Sequence, residues 1–269
     1  MSKISCFLIS MTCASFPHIL LADGERTTDP LAMHEKTKES KAAAEPDNKI
    51  FGFTLSGNVS LASDYIWRGV SQTNHDPQLS GGFKATHDAG FYASIWGSNV
   101  NFNDGGNAHL EIDLSAGWNK TFDNNTGVDL GILHYNYPGA SSALEYNFEE
   151  YYLGLSYTLE GIGLSTKYSW SPDFGGSTTD KSAQYAEAGI TYTFPREVTT
   201  SAHFGHSFGS FFDNNTGIPD SYDDWSFAIS KPVLGFGIGI TYTGTNNDGE
   251  RRFGRLADDR LTVSLSRNF

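Results

Sequence analysis

From Phe51 to the last residue, apolar and polar residues alternate along one segment of the chain after another. In the first segment, Phe53, Leu55 and Val59 share one parity, and polar residues fill the other. The alternation is equally regular at 108–119, 162–171 and 259–269. A period of two indicates β-strands with one apolar and one polar face. The sequence therefore predicts an all-β protein.

The alternating segments number about twelve, and most are about ten residues long, which is the length that crosses a bilayer at a tilt. The predicted strands are 53–68, 78–87, 91–102, 108–119, 128–137, 147–158, 162–171, 183–194, 198–208, 222–230, 235–243 and 259–269. Short connections tend to alternate with longer ones, and an even strand count puts both chain ends on the short-turn side. This pattern is typical of an outer-membrane barrel with short periplasmic turns and longer extracellular loops. We therefore predict a closed antiparallel transmembrane β-barrel.

Aromatic residues favour this membrane barrel over the alternative, a soluble β-sandwich or lipocalin-like barrel. They lie near strand ends on the apolar parity, as in interfacial girdles. These residues are Trp67, Trp118, Tyr157, Tyr168, Trp170, Tyr192, Phe194, Trp225, Tyr242 and Phe269. A last strand that ends on Phe269 also has the form that the outer-membrane assembly machinery reads. The expected surroundings are outer-membrane lipid and lipopolysaccharide.

The N-terminal part differs from the rest of the chain. Residues 1–22 have a basic residue followed by a broken apolar stretch, which predicts a secretory signal peptide rather than a membrane anchor. Residues 23–50 are polar and predict a flexible periplasmic leader, with a short surface helix over 31–44 as the alternative. Both cysteines, Cys6 and Cys13, lie in the signal segment, so we expect no disulfide in the barrel domain, 51–269.

The formal net charge is −13, which argues against a nucleic-acid partner and against a polybasic membrane-surface protein. No apolar run of about 18 residues follows the first two dozen positions, so no spanning helix is expected there.

One block of sequence resembles a known family. Residues 63–73, Ser-Asp-Tyr-Ile-Trp-Arg-Gly-Val-Ser-Gln-Thr, are similar to the start of the TorF family of porins. The segments 76–83 and 90–100, the pair Glu111 and Asp113, and residues 137–139 look similar to later blocks. The resemblance covers about Phe53 to the C-terminus. It implies an outer-membrane location and a porin-like role, without a particular substrate.

If the apolar parity faces lipid, the charged residues of the other parity face the lumen. A charge on the lipid face would cost roughly 2–4 kcal/mol at mid-depth, which explains the segregation. We predict as pore-lining residues Asp64, Arg68, Lys84, Glu111, Asp113, Asp129, Glu150, Lys167, Glu187 and Arg260. Asp224, His109 and His203 share this parity. These groups could set the selectivity of an aqueous path or pair with one another and brace the wall, and at about twelve strands we expect both roles, with a narrow path left between paired charges.

Asp64 and Arg68 stand out because they lie inside the most specific sequence block, although they could instead organise the loop that follows. Glu111 and Asp113 point inward two residues apart and form a candidate cation step, unless a base such as Lys84 neutralises one of them. Acids outnumber bases in the inward set, which favours cations. We predict that no connection is long enough to fold into the lumen, so that wall side chains form the constriction.

Signals for catalysis and for cofactors are weak. His203 and His206 fall on opposite faces of a strand, which excludes a shared metal site there. The acidic residues Asp213, Asp220, Asp223 and Asp224 are better explained as solvated loop than as calcium ligands. We therefore predict a channel for passive diffusion of small hydrophilic solutes, with no cofactor and no enzymatic activity. The alternatives are a structural or adhesive barrel without useful conductance and, less favoured, a barrel enzyme.

Overall fold

A computed structural model describes residues 49–142, 144, 146–175, 180–213 and 217–269. The predicted signal peptide and the leader up to residue 48 lie outside the described residues. The last two leader residues, Lys49–Ile50, form a short strand that pairs with Phe53 and Thr54.

Twelve antiparallel strands make up the main sheet. They are β1 Phe53–Ala62, β2 Gln78–His87, β3 Phe91–Asn99, β4 Leu110–Thr121, β5 Thr126–Asn136, β6 Phe148–Leu159, β7 Ile162–Ser171, β8 Ala183–Phe194, β9 Val198–Phe208, β10 Tyr222–Val233, β11 Phe236–Thr245 and β12 Arg260–Asn268. Each strand pairs with the next along the chain, and β1 pairs with both β2 and β12. The sheet is therefore closed, which confirms the predicted twelve-stranded barrel.

The closing seam extends to the last residue. Leu61 of β1 lies opposite Leu265 of β12, and Asn58 lies opposite Asn268. Beyond the strand, the Phe269 amide donates to the Gly57 carbonyl at 3.0 Å, and the Gly57 amide donates to the Phe269 carbonyl at 2.8 Å. A closed ladder of this kind leaves no open sheet edge, as a bilayer requires.

The apolar parity faces outward along the strands. Leu155, Ile190 and Ile240 are typical, since each is exposed on the outside of the wall. Among the predicted girdle residues, Tyr168, Trp170, Phe194 and Phe269 are likewise exposed. In water this surface would be a large apolar patch, whereas in lipid it is the surface that the solvent favours.

The two ends of the barrel differ in their connections. At the short-turn end, the strands are joined at 88–90, 122–125, 160–161, 195–197 and 234–235. At the long-loop end, the connections span 63–77, 100–109, 137–147, 172–182, 209–221 and 246–259. The last connection contains a short helix, α1 Asn247–Phe253, capped by the Asn246 side chain, and a 3₁₀ turn, Gly254–Ala257. Within the described residues, no helix is long and apolar enough to cross a membrane.

The first connection overturns two predictions. The strand predicted over 53–68 ends at Ala62, and residues 63–77, here named the lumen hairpin, fold into the barrel. Within the hairpin, Ile66–Trp67 pairs with Val70–Ser71. Its turn residues, Arg68 and Gly69, have φ of 43° and 79°, the positive values that a tight two-residue hairpin turn needs. The prediction that no connection folds into the lumen is therefore wrong.

The physical reason for the error lies in Tyr65 and Trp67. Their parity continues that of the lipid-facing residues of β1, but the chain leaves the wall after Ala62. Both rings are consequently buried inside the barrel, so Trp67 is not a girdle residue. Trp67 stacks on Phe174 with ring centroids 6.5 Å apart, and Phe174 contacts Phe148 of β6 at 4.8 Å. An aromatic cluster at the long-loop end thus receives the hairpin.

Candidate functional site: the barrel lumen

The tip of the lumen hairpin crosses the barrel. Arg68 Nη2 donates to both carboxylate oxygens of Glu150 on β6, at 2.9 and 3.0 Å. Its guanidinium lies between two rings, 4.2 Å from the centroid of Trp67 and 3.9 Å from that of Tyr185 on β8. The hairpin starts at β1, whereas β6 and β8 are each five strands away, in opposite directions around the ring of twelve. Arg68 therefore contacts the far wall.

The base of the hairpin is organised by Asp64. One of its oxygens accepts from Ser71 Oγ and Thr73 Oγ1, both at 2.7 Å. The other accepts from Arg260 Nη1 of β12 at 2.9 Å and lies 3.3 Å from His75 Nδ1. Asp64 and Arg260 thus share one ion pair that fixes the hairpin base to the wall.

Two wall carboxylates lie side by side near the hairpin. Glu111 and Asp113 of β4 are both buried, and Tyr65 of the hairpin donates its hydroxyl to Glu111 at 3.1 Å. Asp113 lies close enough to Glu111 for a side-chain hydrogen bond between the two carboxyl groups, and its oxygens have no other partner among the described residues. Asp113 lies beside Trp96 and Tyr135 in the register of the neighbouring strands. This leaves a buried carboxylate in a mostly aromatic setting, which is costly unless it is compensated.

The surroundings shift the pKa values of two ionisable groups of the hairpin, Tyr65 and Arg68. Burial raises the pKa of the Tyr65 hydroxyl, and the carboxylates of Glu111 and Asp113 raise it further. Burial, the largest influence, lowers the pKa of Arg68, but the Glu150 carboxylate and the nearby tyrosines Tyr185, Tyr135 and Tyr222 together outweigh it, so the pKa is raised overall. Tyr65 therefore stays a neutral hydrogen-bond donor, and Arg68 stays a cation.

At the level of Glu111, Asp113 and Glu150, side chains fill the lumen. Each of ten consecutive strands, β2 to β11, contributes at least one inward side chain that is almost completely buried. These side chains belong to Ser80, Ser98, Glu111, Asp113, Tyr135, Glu150, Ser171, Tyr185, Ser207, Asp224 and Thr243. We call this set, together with the lumen hairpin, the closed layer. Among the described residues, these side chains leave no water-wide passage along β2 to β11, and the base of the lumen hairpin lies against the remaining wall at β12. We therefore describe the long-loop half as sealed.

The short-turn half of the lumen admits water. Lys167 of β7 and Glu187 of β8 form an ion pair at 2.7 Å, with side-chain exposures of 29% and 18%. His203 of β9 lies 3.6 Å from Glu187 and 3.2 Å from Asp224, and its side chain is 27% exposed. Charges in this half are therefore paired yet accessible from the short-turn end.

A second group of contacts continues around the same wall. Lys84 Nζ of β2 lies 4.0 Å from the ring centroid of Tyr92 on β3. The Tyr92 hydroxyl donates to Asp129 of β5 at 2.8 Å and contacts the hydroxyl of Tyr152 on β6. Lys167 lies 5.9 Å from the Tyr152 ring and so links this group to the Glu187 ion pair. Inward charges thus brace the wall, as one of the two predicted alternatives requires.

The predicted site residues fall into two groups. Asp64, Arg68, Glu111, Asp113, Glu150 and Arg260 meet at the closed layer or its rim, and Lys84, Asp129, Lys167 and Glu187 lie in the water-accessible half. Lys84 lies over Tyr92 on the wall of that half. His109 belongs to the connection 100–109 and is exposed, so its expected place on the lumen wall is wrong.

Histidine and acidic residues outside the lumen carry no metal-site geometry. His206 faces outward, 2.6 Å from Asp223, whereas His203 faces inward, as expected. Among the described residues, no group of three or more histidine, cysteine or acidic side chains could hold a metal ion.

Sequence reasoning missed the inward tyrosines. Tyr92, Tyr135, Tyr185 and Tyr222 are buried on the polar parity, where they hydrogen-bond or pack against the charges. The signal was in their parity: each tyrosine lies between two positions that face the lipid, so its own side chain faces the lumen. No comparable sequence pattern indicates that residues 63–77 fold into the lumen.

Comparison with known proteins places this barrel in a family. The family described as "Bacterial protein of unknown function (Gcw_chp)" matches residues 43–269. The chain belongs to the Gcw_chp family. The Gcw_chp sequence matches none of the curated proteins with which it was compared.

Solved structures share the fold of this Gcw_chp protein. The KdgM porin is similar with a TM-score of 0.53 and 10% identity, over 80% of this chain and 99% of that chain. The NanC porin is similar with a TM-score of 0.51 and 12% identity, over 79% of this chain and 98% of that chain. At such low identity the likeness establishes the barrel architecture and leaves the solute to be determined from this chain's own lumen.

Proposed function

We propose that this protein is a porin-like channel of the bacterial outer membrane for passive diffusion of small hydrophilic solutes. The observation that carries the proposal is the polar, water-accessible half of the lumen inside a closed barrel with an apolar exterior. Charged side chains along a hydrated inner wall are what an aqueous path for polar solutes requires. The shared fold with porins supports the same function.

A weak preference for cations is part of the proposal. The inward acids are Asp64, Glu111, Asp113, Asp129, Glu150, Glu187 and Asp224, and the inward bases are Arg68, Lys84, Lys167 and Arg260. Seven carboxylates against four bases give a negative lumen if all are ionised. Fixed charge of one sign in a narrow passage favours counterions of the other sign.

The following more specific assignments are also proposals. Membership of the TorF family of porins rests on the sequence block 63–73. Export through a signal peptide, recognition of the strand that ends at Phe269 by the outer-membrane assembly machinery, and contact with lipopolysaccharide all follow from an outer-membrane location. The protein acts without enzymatic chemistry in this proposal.

One observation favours a second candidate function. The closed layer seals the long-loop half, and a permanently sealed barrel is a structural or adhesive protein without useful conductance. The two candidates differ in whether ions ever pass the closed layer.

Planar-bilayer recording of the purified protein separates them. A heat-modifiable shift in gel migration first shows that the barrel is folded. The channel proposal predicts step currents. In a salt gradient, it predicts a reversal potential displaced toward the equilibrium potential of the cation. Absence of step currents in every salt, for the wild type and for a variant without the lumen hairpin, would leave the structural barrel as the function.

A further inference from the structure

The lumen hairpin is held together mainly by its own hydrogen bonds. The Gln72 amide donates to the Tyr65 carbonyl at 2.7 Å, and the Tyr65 amide donates to Thr73 Oγ1 at 3.2 Å. Asp64 accepts from Ser71 and Thr73 within the same segment. These bonds do not involve the wall, so the hairpin keeps its shape if it moves.

Its base has a fixed attachment. The Ser63 amide donates to the Val263 carbonyl at 2.9 Å, and the Val263 amide donates to Ser63 Oγ at 3.0 Å. The ion pair between Asp64 and Arg260 lies at the same place. The start of the hairpin is therefore tied to β12, and this tie can serve as a hinge.

The seam between hairpin and wall is poorly satisfied, unlike the hairpin itself. Among the described residues, buried side-chain atoms of the seam without a partner are Arg68 Nε, Gln72 Oε1 and Ser171 Oγ, while Asp113 and Ser207 have no partner beyond a side-chain hydrogen bond to Glu111 and to Tyr222, respectively. Two belong to the hairpin, and the others face the lumen from the long-loop half of the wall. Buried polar groups without partners are costly, and water reaching the seam would satisfy them. Opening the seam therefore recovers hydrogen-bonding free energy. This gain would not exist if every buried polar group of the hairpin and the wall already had a partner.

Arg68 is the main fastening of the tip. Its guanidinium and the Glu150 carboxylate are both buried and paired. Arg68 also holds a positive φ, an unfavourable conformation for a residue with a side chain, at the point where the hairpin meets the far wall. The other tip-side bonds to the wall and loops are the Tyr65 bond to Glu111 and the bond from the Asn101 amide to the Gln72 carbonyl.

We propose that the lumen hairpin is the gate of the channel: it leaves the lumen as a preformed unit about its base, and the Arg68–Glu150 ion pair is the latch. This inference rests on the proposed channel function and adds how the passage opens. It reconciles a polar, charged lumen with a sealed long-loop half.

A reversible cross-link between hairpin and wall tests the gate. A Cβ at Gly69 would lie 2.9 Å from the Asp224 Cβ but only 2.3 Å from Thr245 Cγ2, so Gly69→Cys and Asp224→Cys are combined with Thr245→Ser, which removes that methyl group and brings two thiols within disulfide reach. Cys6 and Cys13 are replaced by alanine in every variant. The control is Ser94→Cys with Ser115→Cys, which joins Cα partners of β3 and β4 in the open half and leaves the hairpin free.

We expect oxidation of the hairpin-to-wall pair to lower the conductance at least tenfold and reduction to restore it. Oxidation of the control pair should leave the conductance unchanged. Thiol titration establishes that each bridge has formed. If the bridged hairpin-to-wall variant conducts as well as its reduced form, ions pass beside a fixed hairpin and the gate is overturned.

A labelling test covers the case in which the double variant does not fold. Ser171→Cys places a thiol in the closed layer, where the native side chain is 0% exposed. A hydrophilic thiol reagent should react with it slowly, and at least ten times faster when Glu150→Gln removes the latch. Ser165→Cys, on the same strand in the open half, should react at one rate in both backgrounds. A Ser171→Cys rate that Glu150→Gln does not change overturns the latch.

The two tests separate failure of the gate from failure of the channel. If the variants conduct and the bridge has no effect, the channel stands and the gate is wrong. If Glu150→Gln accelerates labelling but no variant conducts, the hairpin moves and the proposed channel function is wrong.

Discussion

The two halves of the lumen are built from the same twelve strands, yet one is sealed and the other is wet. In the long-loop half, the inward wall residues are buried, and they include the large side chains of Tyr135, Phe148, Tyr185 and Tyr222. In the short-turn half, many inward positions are small, as at Ser115, Gly154, Ser165 and Ser201. The strand number sets the width of the barrel, but the choice of inward side chains decides whether that width is filled.

Side chains of the wall are not sufficient to seal a barrel of this size. Eight-stranded barrels can be filled by their own inward residues, whereas wider barrels leave a channel. In this protein the missing volume in the long-loop half is supplied by the lumen hairpin, whose Trp67 and Val70 are buried among wall and loop residues. The comparison of the halves thus makes one connection of 15 residues, 63–77, the segment that enters the lumen, where it packs against aromatic residues of other long loops such as Phe102, Phe174 and Phe212.

The largest expected effect comes from removing that connection. Replacing residues 64–76 by a short glycine-serine linker should raise single-channel conductance at least tenfold, because the wall alone does not fill the long-loop half. The measurement is planar-bilayer recording, with heat-modifiable migration as the control for a folded barrel. An unchanged conductance would show that the hairpin does not limit the passage.

Paired carboxylates in the two halves should differ in their contribution to stability. Glu150→Gln leaves Arg68 buried without its counter-charge and should lower the free energy of unfolding by about 3–5 kcal/mol. Glu187→Gln, in the wet half, should cost about 1 kcal/mol or less, because water solvates Lys167. Reversible urea unfolding in lipid vesicles measures both. Equal losses would contradict the difference in hydration between the halves.

The two halves of the lumen should also differ in how well they tolerate an added methyl group. A Cβ at Gly205 would overlap the Tyr185 hydroxyl, so Gly205→Ala should destabilise the barrel by about 1–3 kcal/mol. In the open half, a Cβ at Gly154 meets no atom closer than 3.5 Å, and Gly154→Ala should change stability by no more than about 0.5 kcal/mol. The same unfolding assay serves for both. A tolerated Gly205→Ala would argue against tight packing in the closed layer.

The smallest expected effect concerns selectivity. Glu111→Gln with Asp113→Asn should shift the reversal potential away from the cation value, because these carboxylates lie where the passage is narrowest. Asp129→Asn, in the wide half, should shift it less. If the two changes move the reversal potential equally, the closed layer does not set selectivity.

Much of this fold could be read from the sequence because alternation in a barrel wall has a single physical cause. Strands such as β7, β8 and β9 match their predicted bounds, since lipid on one side and polar lumen on the other fix every parity. The lumen hairpin escaped prediction because Tyr65 and Trp67 continue the apolar parity after the chain has left the wall. Alternation shows which side chains face the lipid and which face the lumen only where the backbone is part of the sheet.

The candidate site was predictable in its members but not in its grouping. Parity correctly put Glu111, Asp113 and Glu150 on the inner face, because no lipid-facing position tolerates them. It could not show that Arg68 reaches Glu150, since that contact spans the barrel between residues 82 positions apart. Contacts of this kind depend on the path of one connection, which local patterns do not encode.

Accessibility of single cysteines at inward serines tests the central claim most directly, namely that one half is sealed and the other is wet. Three strands, β3, β7 and β9, each offer one serine in either half. The closed-layer positions are Ser98, Ser171 and Ser207, and the open-half positions are Ser94, Ser165 and Ser201. With a hydrophilic thiol reagent supplied from the short-turn side, we predict rates at least tenfold higher at every open-half position than at its partner on the same strand. Equal rates within the pairs would contradict the sealed layer.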